Sequence, residues 1–335
     1  EVAFVDNRSY TPLYYINPTN KTDFNSASKA INEYFRWNWD NTITYQKNLG
    51  DHNITLLAGF TRFRTWSENL YGSKDSLIFD SFDKAYIDNS VQVLGRTGGG
   101  FGENTLQSYF GRVYYDFQEK YLLEAVVRVD GSSRFGRENR YGTFPGVSAG
   151  WVFSDESFFP NLGFFDYGKF RVSWGQNGNE NIGNFQYTSI ISTGHSYFFG
   201  TGQRLYDGIQ PAFIANPSIK WEASEQLNFG LDLRFFEGRL NFTAEYYDKR
   251  NKDWLVSGNG FYPRAGVGNN VGVINAGDIR NSGFEFELSY QDNFWDQLNA
   301  NFMFTASANR NELIAIAEGL SVLNGAGGSH GQGTV

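Results

Sequence analysis

The chain of 335 residues has no cysteine, a single methionine and no apolar run that approaches the 18 residues of a membrane-spanning helix. Without cysteine the chain cannot hold a disulfide framework, a thiolate metal site or a cysteine nucleophile. Without a long apolar run it cannot be a helical membrane protein. Charged residues form only 19% of the chain and aromatic residues 18%, which argues against intrinsic disorder.

Positive charge is also scarce. The chain has 28 Lys and Arg against 36 Asp and Glu, so its net charge is −8 and its pI is about 5.0. Nucleic-acid phosphates require a basic surface, and we therefore expect no nucleic-acid partner. The first residues, EVAFVDNRSY, have neither the basic nor the apolar region of a signal peptide. We expect either a mature protein or a piece of a longer chain.

Motifs of catalysis and of metal binding are missing from the sequence. The glycine-rich stretch at 95–102 lacks the strand–turn–helix context of a phosphate-binding loop, and no serine or zinc-hydrolase motif occurs. No histidine has a second ligand at metal-binding spacing; the histidines are His52, His195 and His330. We therefore expect no enzymatic activity, no metal and no cofactor.

Aromatic residues are abundant, although the mean hydropathy of the chain is only −0.46. Both observations hold if large rings alternate with polar residues, and an alternation with a period of two predicts β-strands. The alternation is clear at 35–45, 109–117, 121–130, 227–235, 240–246, 284–290 and 298–306, and weaker at 53–65, 141–153, 168–176 and 184–192. The sequence therefore predicts an all-β protein.

The connections between these segments alternate in length. Short connections are predicted near 47–52, 117–120, 154–167, 236–239 and 292–297. Long connections are predicted near 67–104, 131–140, 178–221, 251–280 and beyond 311. This sorting, with strands of about 10 residues or more, is typical of a transmembrane antiparallel up-and-down β-barrel with long extracellular loops. A soluble β-sandwich, the alternative, has no physical reason to sort its loops.

In such a barrel the apolar parity faces lipid and the polar parity faces the lumen. The predicted lumen-facing charged residues are Arg112, Arg128, Asp232, Arg234, Glu245, Glu285 and Glu287. Their carboxylates could make a lumen that favours cations. We favour the alternative that they pair across strands with Arg234, Arg128 and Arg112.

Aromatic residues in the predicted loops could stack on sugar rings or peptide side chains, or could pack the loops against each other. The candidate substrate-binding residues are Tyr71, Tyr86, Tyr197, Phe198, Phe199, Tyr206, Trp254 and Tyr262.

Longer strings carry a family resemblance. The stretch YFGRVYYDFQEKYLLEAVVRVDGSSRFGRENRYGTFPGVSAGW at 109–151 strongly resembles the barrel of the SusC/RagA family of TonB-linked outer-membrane transporters. Similar blocks follow in the usual order of that family: RVSWGQNGNENIG (171–183), NPSIKWE (216–222), FGLDLRFFEGRLNFTAEYYDKRNKDWL (229–255) and INAGDIRNSGFEFEL (274–288). Family members often read GQTGN where this chain has GQNGN. The resemblance covers roughly residues 33–311.

The resemblance implies active import through a barrel of about 22 strands in the bacterial outer membrane. It also implies a plug domain that TonB contacts, a SusD-like lipoprotein as a lid, and oligosaccharides or oligopeptides as substrates. We count about 11 or 12 strands, roughly half of such a barrel. We therefore expect 1–335 to be a partial barrel domain that meets outer-membrane lipid, with the plug domain absent from this chain. Two alternatives remain at this point: a small passive porin or adhesin barrel, and a secreted glycan-binding β protein.

Overall fold

The computed structural model describes residues 1–160, 162–193, 196–202, 204–206, 208–257, 272–294 and 298–316. Besides strands these residues form three short 3₁₀ turns, and none of their helices is long and apolar enough to cross a membrane. The strands are β1 (Val2–Thr11), β2 (Tyr14–Asn17), β3 (Asn20–Thr22), β4 (Ser26–Leu49), β5 (His52–Asp75), β6 (Arg96–Phe117), β7 (Tyr121–Ser132), β8 (Tyr141–Val152), β9 (Phe165–Asn179), β10 (Ile191–Thr193), β11 (Tyr197–Phe199), β12 (Arg204–Tyr206), β13 (Ile209–Pro211), β14 (Glu222–Phe235), β15 (Leu240–Lys252), β16 (Leu255–Ser257), β17 (Val273–Asn275), β18 (Gly277–Phe294) and β19 (Leu298–Ile316).

One large sheet contains eleven of these strands. Its order is β1-β4-β5-β6-β7-β8-β9-β14-β15-β18-β19, so each strand pairs with the next long strand along the chain. The β1–β4 pair and every pair from β7–β8 to β18–β19 are antiparallel. The remaining strands form small two-stranded hairpins inside the connections. The all-β class, the up-and-down order and the expected number of strands are therefore confirmed.

Strands β4, β5 and β6 are much longer than predicted, with 24, 24 and 22 residues. The predicted long loop at 67–104 is therefore wrong at both ends, because β5 continues to Asp75 and β6 already begins at Arg96. The glycine-rich stretch that suggested a loop is paired instead. A side chain would not fit at these glycines. A Cβ atom at Gly98 would collide with Tyr71 of the neighbouring strand, and one at Gly99 would collide with the Asn69 carbonyl.

The connections still alternate, with one exception. Residues 50–51, 118–120 and 236–239 are tight turns, whereas 76–95, 180–221 and 253–276 are long. The exception lies around β8, where the connection predicted to be long (133–140) is shorter than the one predicted to be short (153–164). The latter is a packed cluster, since the ring of Phe159 lies 5.6 Å from Phe153 and 5.0 Å from Phe165.

The pairing register separates an apolar face from a polar face. Two adjacent rungs that cross β8, β9, β14, β15, β18 and β19 illustrate this separation. One rung consists of Trp151, Phe170, Leu231, Ala244, Phe286 and Ala306, and the next consists of Gly150, Arg171, Gly230, Glu245, Glu285 and Ser307. Large apolar side chains such as Phe170 and Phe286 are exposed, so the apolar face is not covered by other parts of the chain that the structure describes.

Contacts divide the chain into two compact units. The first unit comprises 1–39 and 62–106, and the second comprises 40–61 and 107–335. In the first unit a small core of Ala27, Leu77 and Ala85 anchors the 76–95 connection. Asn25 reinforces this core, because its side chain accepts a hydrogen bond from the Leu77 amide at 2.7 Å and donates one to the Leu77 carbonyl at 3.3 Å.

A substitution on each face tests the orientation of the sheet. Phe286→Arg, on the apolar face, should lower the unfolding free energy in lipid vesicles by about 2–4 kcal/mol, because it places a charge in the hydrocarbon. Thr305→Arg is the control: it lies on the polar face opposite Glu287 and should cost little. Equal costs for the two substitutions, measured by denaturant unfolding of the whole protein, would refute the assignment of faces.

Candidate functional site

The polar face of the second unit is organised around Arg171 on β9. Its Nε donates to Asp232 Oδ2 at 3.1 Å, and its Nη2 donates to Glu245 Oε2 at 3.0 Å. Asp232 lies on β14 and Glu245 on β15, so one guanidinium links three strands. Thr243 adds a hydrogen bond from its hydroxyl to Asp232 Oδ1 at 3.3 Å.

Glycine makes room for this guanidinium. Gly230 lies directly between Arg171 and Glu245 in the pairing register. A Cβ atom at Gly230 would approach the Nε and Cζ atoms of Arg171 to 2.5 Å. The absence of a side chain on β14 therefore allows Arg171 to lie flat across the sheet and reach β15.

The other predicted lumen-facing residues lie on this same face, but their partners differ from those expected. Arg112 pairs with Glu124. Arg128 donates from Nε to Asp130 at 2.7 Å and from Nη2 to the buried Ser108 at 2.9 Å. The predicted pairing of Asp232 and Glu245 with Arg112, Arg128 or Arg234 is therefore wrong. Each of these arginines is occupied on its own strand or a near neighbour, and the guanidinium of Arg234 lies 4.9 Å from the Tyr167 ring centre.

Glu285 and Glu287 have no ion-pair partner among the described residues. They line a shallow hollow of about 390 Å³ together with Glu245 and the hydroxyl side chains of Thr243, Thr305 and Ser307. All of these groups can accept hydrogen bonds, so the hollow is polar and acidic. That this face lines a lumen remains a prediction.

A second structured region lies at the outer ends of β7, β8, β9 and β14 and in the connections that follow them. We call it the outer core: Phe135, Phe144, Ile182, Ile219 and Trp221. Four of its members are at most 7% exposed and Trp221 is 9% exposed. The Trp221 ring lies 5.0 Å from Phe135 and 5.5 Å from Phe144. These residues come from the separate strings that carry the family resemblance, so the strings converge in space.

Buried polar groups accompany the outer core. The Arg134 Nη1 donates to the Glu180 carbonyl at 3.1 Å, whereas Arg134 Nε and Glu180 Oε2 are buried without a hydrogen-bond partner. Burial raises the pKa of the Glu180 carboxyl above its ordinary 4.5, although the Ser132 hydroxyl and the charge of Arg134 oppose this. Glu180 directly follows the last residue of β9 and therefore lies in a connection, outside the strands of the large sheet.

The longest connection, 180–221, carries two short strand pairs, and we call the described residues within 190–212 the finger. Within it β10 pairs with β13 and β11 pairs with β12. The Ala212 amide closes the base by donating to the Ile190 carbonyl at 2.7 Å. Sequence reasoning assigned no strand to 193–212, because segments of three residues are too short to show a period of two.

The tip of the finger gathers four of the predicted substrate-binding residues. Phe199 lies 5.0 Å from Tyr197 and 5.9 Å from Tyr206, both edge to face, and Arg204 lies over Tyr206. Phe198 pairs with Leu205 and therefore points to the opposite side of the hairpin. These aromatic side chains are between 50% and 66% exposed, so the structure brings three of them together on one side of the hairpin and leaves all four accessible.

The remaining predicted aromatic residues do not join this cluster in the described structure. Tyr71 belongs to β5 and packs over Gly98, so its placement in a loop is wrong. Tyr86 lies under the guanidinium of Arg8, 4.3 Å from its ring centre. Trp254 is half-buried, and its backbone is hydrogen-bonded to Gly277 and Ala276 at 2.9 Å. Tyr262 lies outside the described residues.

Two groups of residues were missed by sequence reasoning. Arg171 was missed although it lies in a predicted strand, because nothing in the sequence indicates which arginine a carboxylate on another strand will meet. Three side-chain amides in the long connections were also missed, since asparagine and glutamine are frequent in loops without a specific role. They are Gln186, Asn216 and Asn275.

Comparison with known proteins identifies this architecture. The family model described as "TonB dependent receptor-like, beta-barrel" matches residues 3–326. The chain belongs to this family. It is therefore part of a transmembrane β-barrel of the bacterial outer membrane, which confirms the predicted fold and location and excludes the secreted β protein.

Named relatives agree with this assignment. The receptor segment is 32% identical over 296 residues to "TonB-dependent receptor P39" of Formosa agariphila, covering 88% of this chain and 27% of the relative. It is 28% identical over 304 residues to "TonB-dependent receptor SusC" of Bacteroides thetaiotaomicron, covering 86% of this chain and 29% of SusC. The chain thus spans less than a third of these relatives. The matching proteins are named as receptors, not as enzymes.

The fold resembles a solved structure as well. "Structure of the RagAB peptide transporter" superposes with a TM-score of 0.81 over 96% of this chain and 35% of that one, at 22% identity. At that identity the likeness concerns the fold alone.

Removing Arg171 should loosen the polar face of the receptor barrel. Arg171→Ala leaves Asp232 and Glu245 without their cation, and we expect a loss of about 1 kcal/mol in unfolding free energy, since the three groups are partly exposed. Lys169→Ala is the control, because Lys169 lies on the same strand and face and forms no salt bridge with a described residue. Equal losses for both variants in denaturant unfolding would contradict the role of Arg171.

Replacing Glu180 should stabilise the outer core near neutral pH. Because the pKa of Glu180 is raised on folding, its protonated form stabilises the folded state. This stabilisation is fully present below pH 4.5, the ordinary pKa, and is lost as the pH rises through the pKa of the folded state. Glu180→Gln should therefore increase the unfolding free energy at pH 7 by on the order of 1 kcal/mol, and the gain should shrink toward pH 4. Glu138→Gln, an exposed acid of the same region, should show no gain at either pH.

Proposed function

We propose that the whole receptor actively imports large nutrients, oligosaccharides or oligopeptides, across the outer membrane. In this proposal TonB supplies the energy and a SusD-like lipoprotein covers the outer opening. The kinship with SusC and the likeness of the fold to the RagAB transporter support it. The described part of the chain contributes one sheet of eleven strands and the connections between them.

The division of labour within the receptor is part of this proposal. Residues 1–335 form a partial barrel domain, and a plug domain that TonB contacts belongs to the rest of the protein. Two facts support the division: the chain covers 27% to 29% of the length of its relatives, and its described residues form one large sheet with connecting loops and hairpins.

The observation that carries the proposal is the exposed aromatic cluster at the tip of the finger. Tyr197, Phe199 and Tyr206 present rings edge to face on one side of the hairpin. Exposed rings in water are unfavourable unless a partner covers them, and flat aromatic faces stack on sugar rings and on peptide side chains alike. The finger therefore serves as a capture site for the nutrient before it enters the barrel.

A protein partner is supported by apolar residues in the first unit. Ile16 and Phe24, in the connection that contains β2 and β3, are 68% and 63% exposed. Val93 and Leu94, in the 76–95 connection, are 91% and 84% exposed. Apolar side chains that together form an exposed patch mark surfaces that bind another protein, and we assign such a contact of these residues to the lipoprotein.

Removing the ring cluster should weaken nutrient binding. The variant with Tyr197→Ser, Phe199→Ser and Tyr206→Ser loses three contacts, each worth about 0.5–1.5 kcal/mol, so affinity should fall roughly ten-fold or more. Phe198→Ser is the control, because it lies on the other side of the same hairpin and should change affinity little. Binding of labelled oligosaccharide and tryptic peptide pools to the whole receptor measures both. Unchanged affinity in the triple variant would refute the capture site.

A further inference from the structure

The root of the finger is fastened to a different loop by side-chain amides. The β15–β18 connection passes beside the root, and Gly272 and Val273 approach it closely. The Val273 amide donates to Gln186 Oε1 at 3.1 Å, and the Val273 carbonyl accepts from Asn216 Nδ2 at 3.1 Å. Gln186 and Asn216 precede and follow the finger, and the Asn216 amide donates to the Gln186 carbonyl at 3.0 Å. The chain segments before and after the finger therefore both hydrogen-bond to the same residue of the neighbouring loop, Val273.

The neighbouring loop makes the reciprocal contact through Asn275, whose side-chain amide hydrogen-bonds to the backbone of Lys220. Asn275 Oδ1 accepts from the Lys220 amide at 3.1 Å, and Asn275 Nδ2 donates to the Lys220 carbonyl at 3.0 Å. The same Nδ2 donates to the Asp253 carbonyl at 2.8 Å, and the Lys220 ammonium pairs with the Asp253 carboxylate at 2.9 Å. One amide side chain thus replaces a strand in satisfying the backbone of Lys220.

Close packing surrounds these hydrogen bonds. Gly272 is buried, and a Cβ atom there would come within 2.8 Å of Gln186 Oε1 and 3.3 Å of Phe213. Ile219, beside Lys220, is completely buried, and Ala276, beside Asn275, is 2% exposed. Gln186, Asn216 and Asn275 are themselves half-buried. Their hydrogen bonds to Val273 and Asp253 are partly buried, so water competes poorly for them, whereas the bonds between Asn275 and Lys220 are exposed.

We propose that Gln186, Asn216 and Asn275 form an amide clamp that makes the root of the finger and residues 272–276 of the β15–β18 connection move as one body. These are positioning residues: they hold the ring cluster in place for the nutrient without touching it. This role rests on the capture site proposed above. The clamp supplies the hydrogen bonds that hold the root of the finger in place, since the finger has few buried residues of its own.

Three isosteric substitutions test the clamp in the whole receptor. Asn275→Asp removes both donated hydrogen bonds and Asn216→Asp removes one, whereas Gln186→Glu keeps the single acceptor that Val273 needs. Each substitution adds one negative charge, so Gln186→Glu reports the effect of a charge at the clamp without the loss of a hydrogen bond. Gln186→Ala removes the acceptor without adding charge and should behave as the aspartate variants do.

Hydrogen exchange decides the structural part of the proposal without any ligand. In Asn275→Asp, Asn216→Asp and Gln186→Ala, the amides of residues 186–190, 212–220 and 273–275 should exchange roughly five-fold faster or more, as expected for lost hydrogen bonds. The barrel strands should be unaffected, and Gln186→Glu should match the parent. Unchanged exchange in the three disrupting variants would overturn the clamp.

Binding of the labelled oligosaccharide and peptide pools tests the positioning role. The disrupting variants should lose affinity about five-fold to ten-fold with unchanged binding capacity, whereas general unfolding would lower capacity. Unchanged affinity in Asn275→Asp, beside a weakened ring-cluster variant, would overturn positioning. If the ring-cluster variant binds as the parent does, or the parent binds neither pool, the capture site fails, while hydrogen exchange still decides the clamp.

Discussion

Inside a bilayer a strand can leave no backbone N–H or C=O unpaired, because water is absent there and each unpaired group costs several kcal/mol. The nine inner strands of the large sheet meet this constraint, because each pairs with a neighbouring strand on both sides. Pairing fixes the register, and the register fixes which side chains share a face. The apolar rung through Phe170 and Phe286 and the polar rung through Arg171 and Glu285 are adjacent for this reason.

The polar face is constrained by the same geometry. Charged side chains on it cannot be buried in a core, so they pair along the surface of the sheet. Arg171 reaches Asp232 and Glu245 only because Gly230 leaves the space between them empty. The same face leaves Glu285 and Glu287 without a cation among the described residues, so its charge is unevenly distributed. Uneven charge of this kind influences which solutes approach the wall.

Much of the sheet could be predicted because its information is local. A period of two identifies a strand such as β14 from a few residues. The same alternation of apolar and polar residues is clear in β7, β15 and β18, where few glycines interrupt it. Long-range pairing could not be predicted: the partner of Asp232 lies 61 residues away on β9. The strand β1 was missed because its alternation is weak, and 96–102 was mistaken for a loop because glycine favours both loops and close strand contacts.

The outer loops follow a different logic from the strands. Most of their backbone N–H and C=O groups have no neighbouring strand to pair with, so these groups must form hydrogen bonds with side chains or water. Trp221 and Phe135 supply a small apolar core, and Asn275 supplies hydrogen bonds that a sheet would otherwise provide. Such anchoring fastens the root of the finger, whereas the aromatic rings at its tip are exposed. A rigid root with an accessible tip is what a capture site needs, since the entropy cost of placing the rings is met on folding and not on binding.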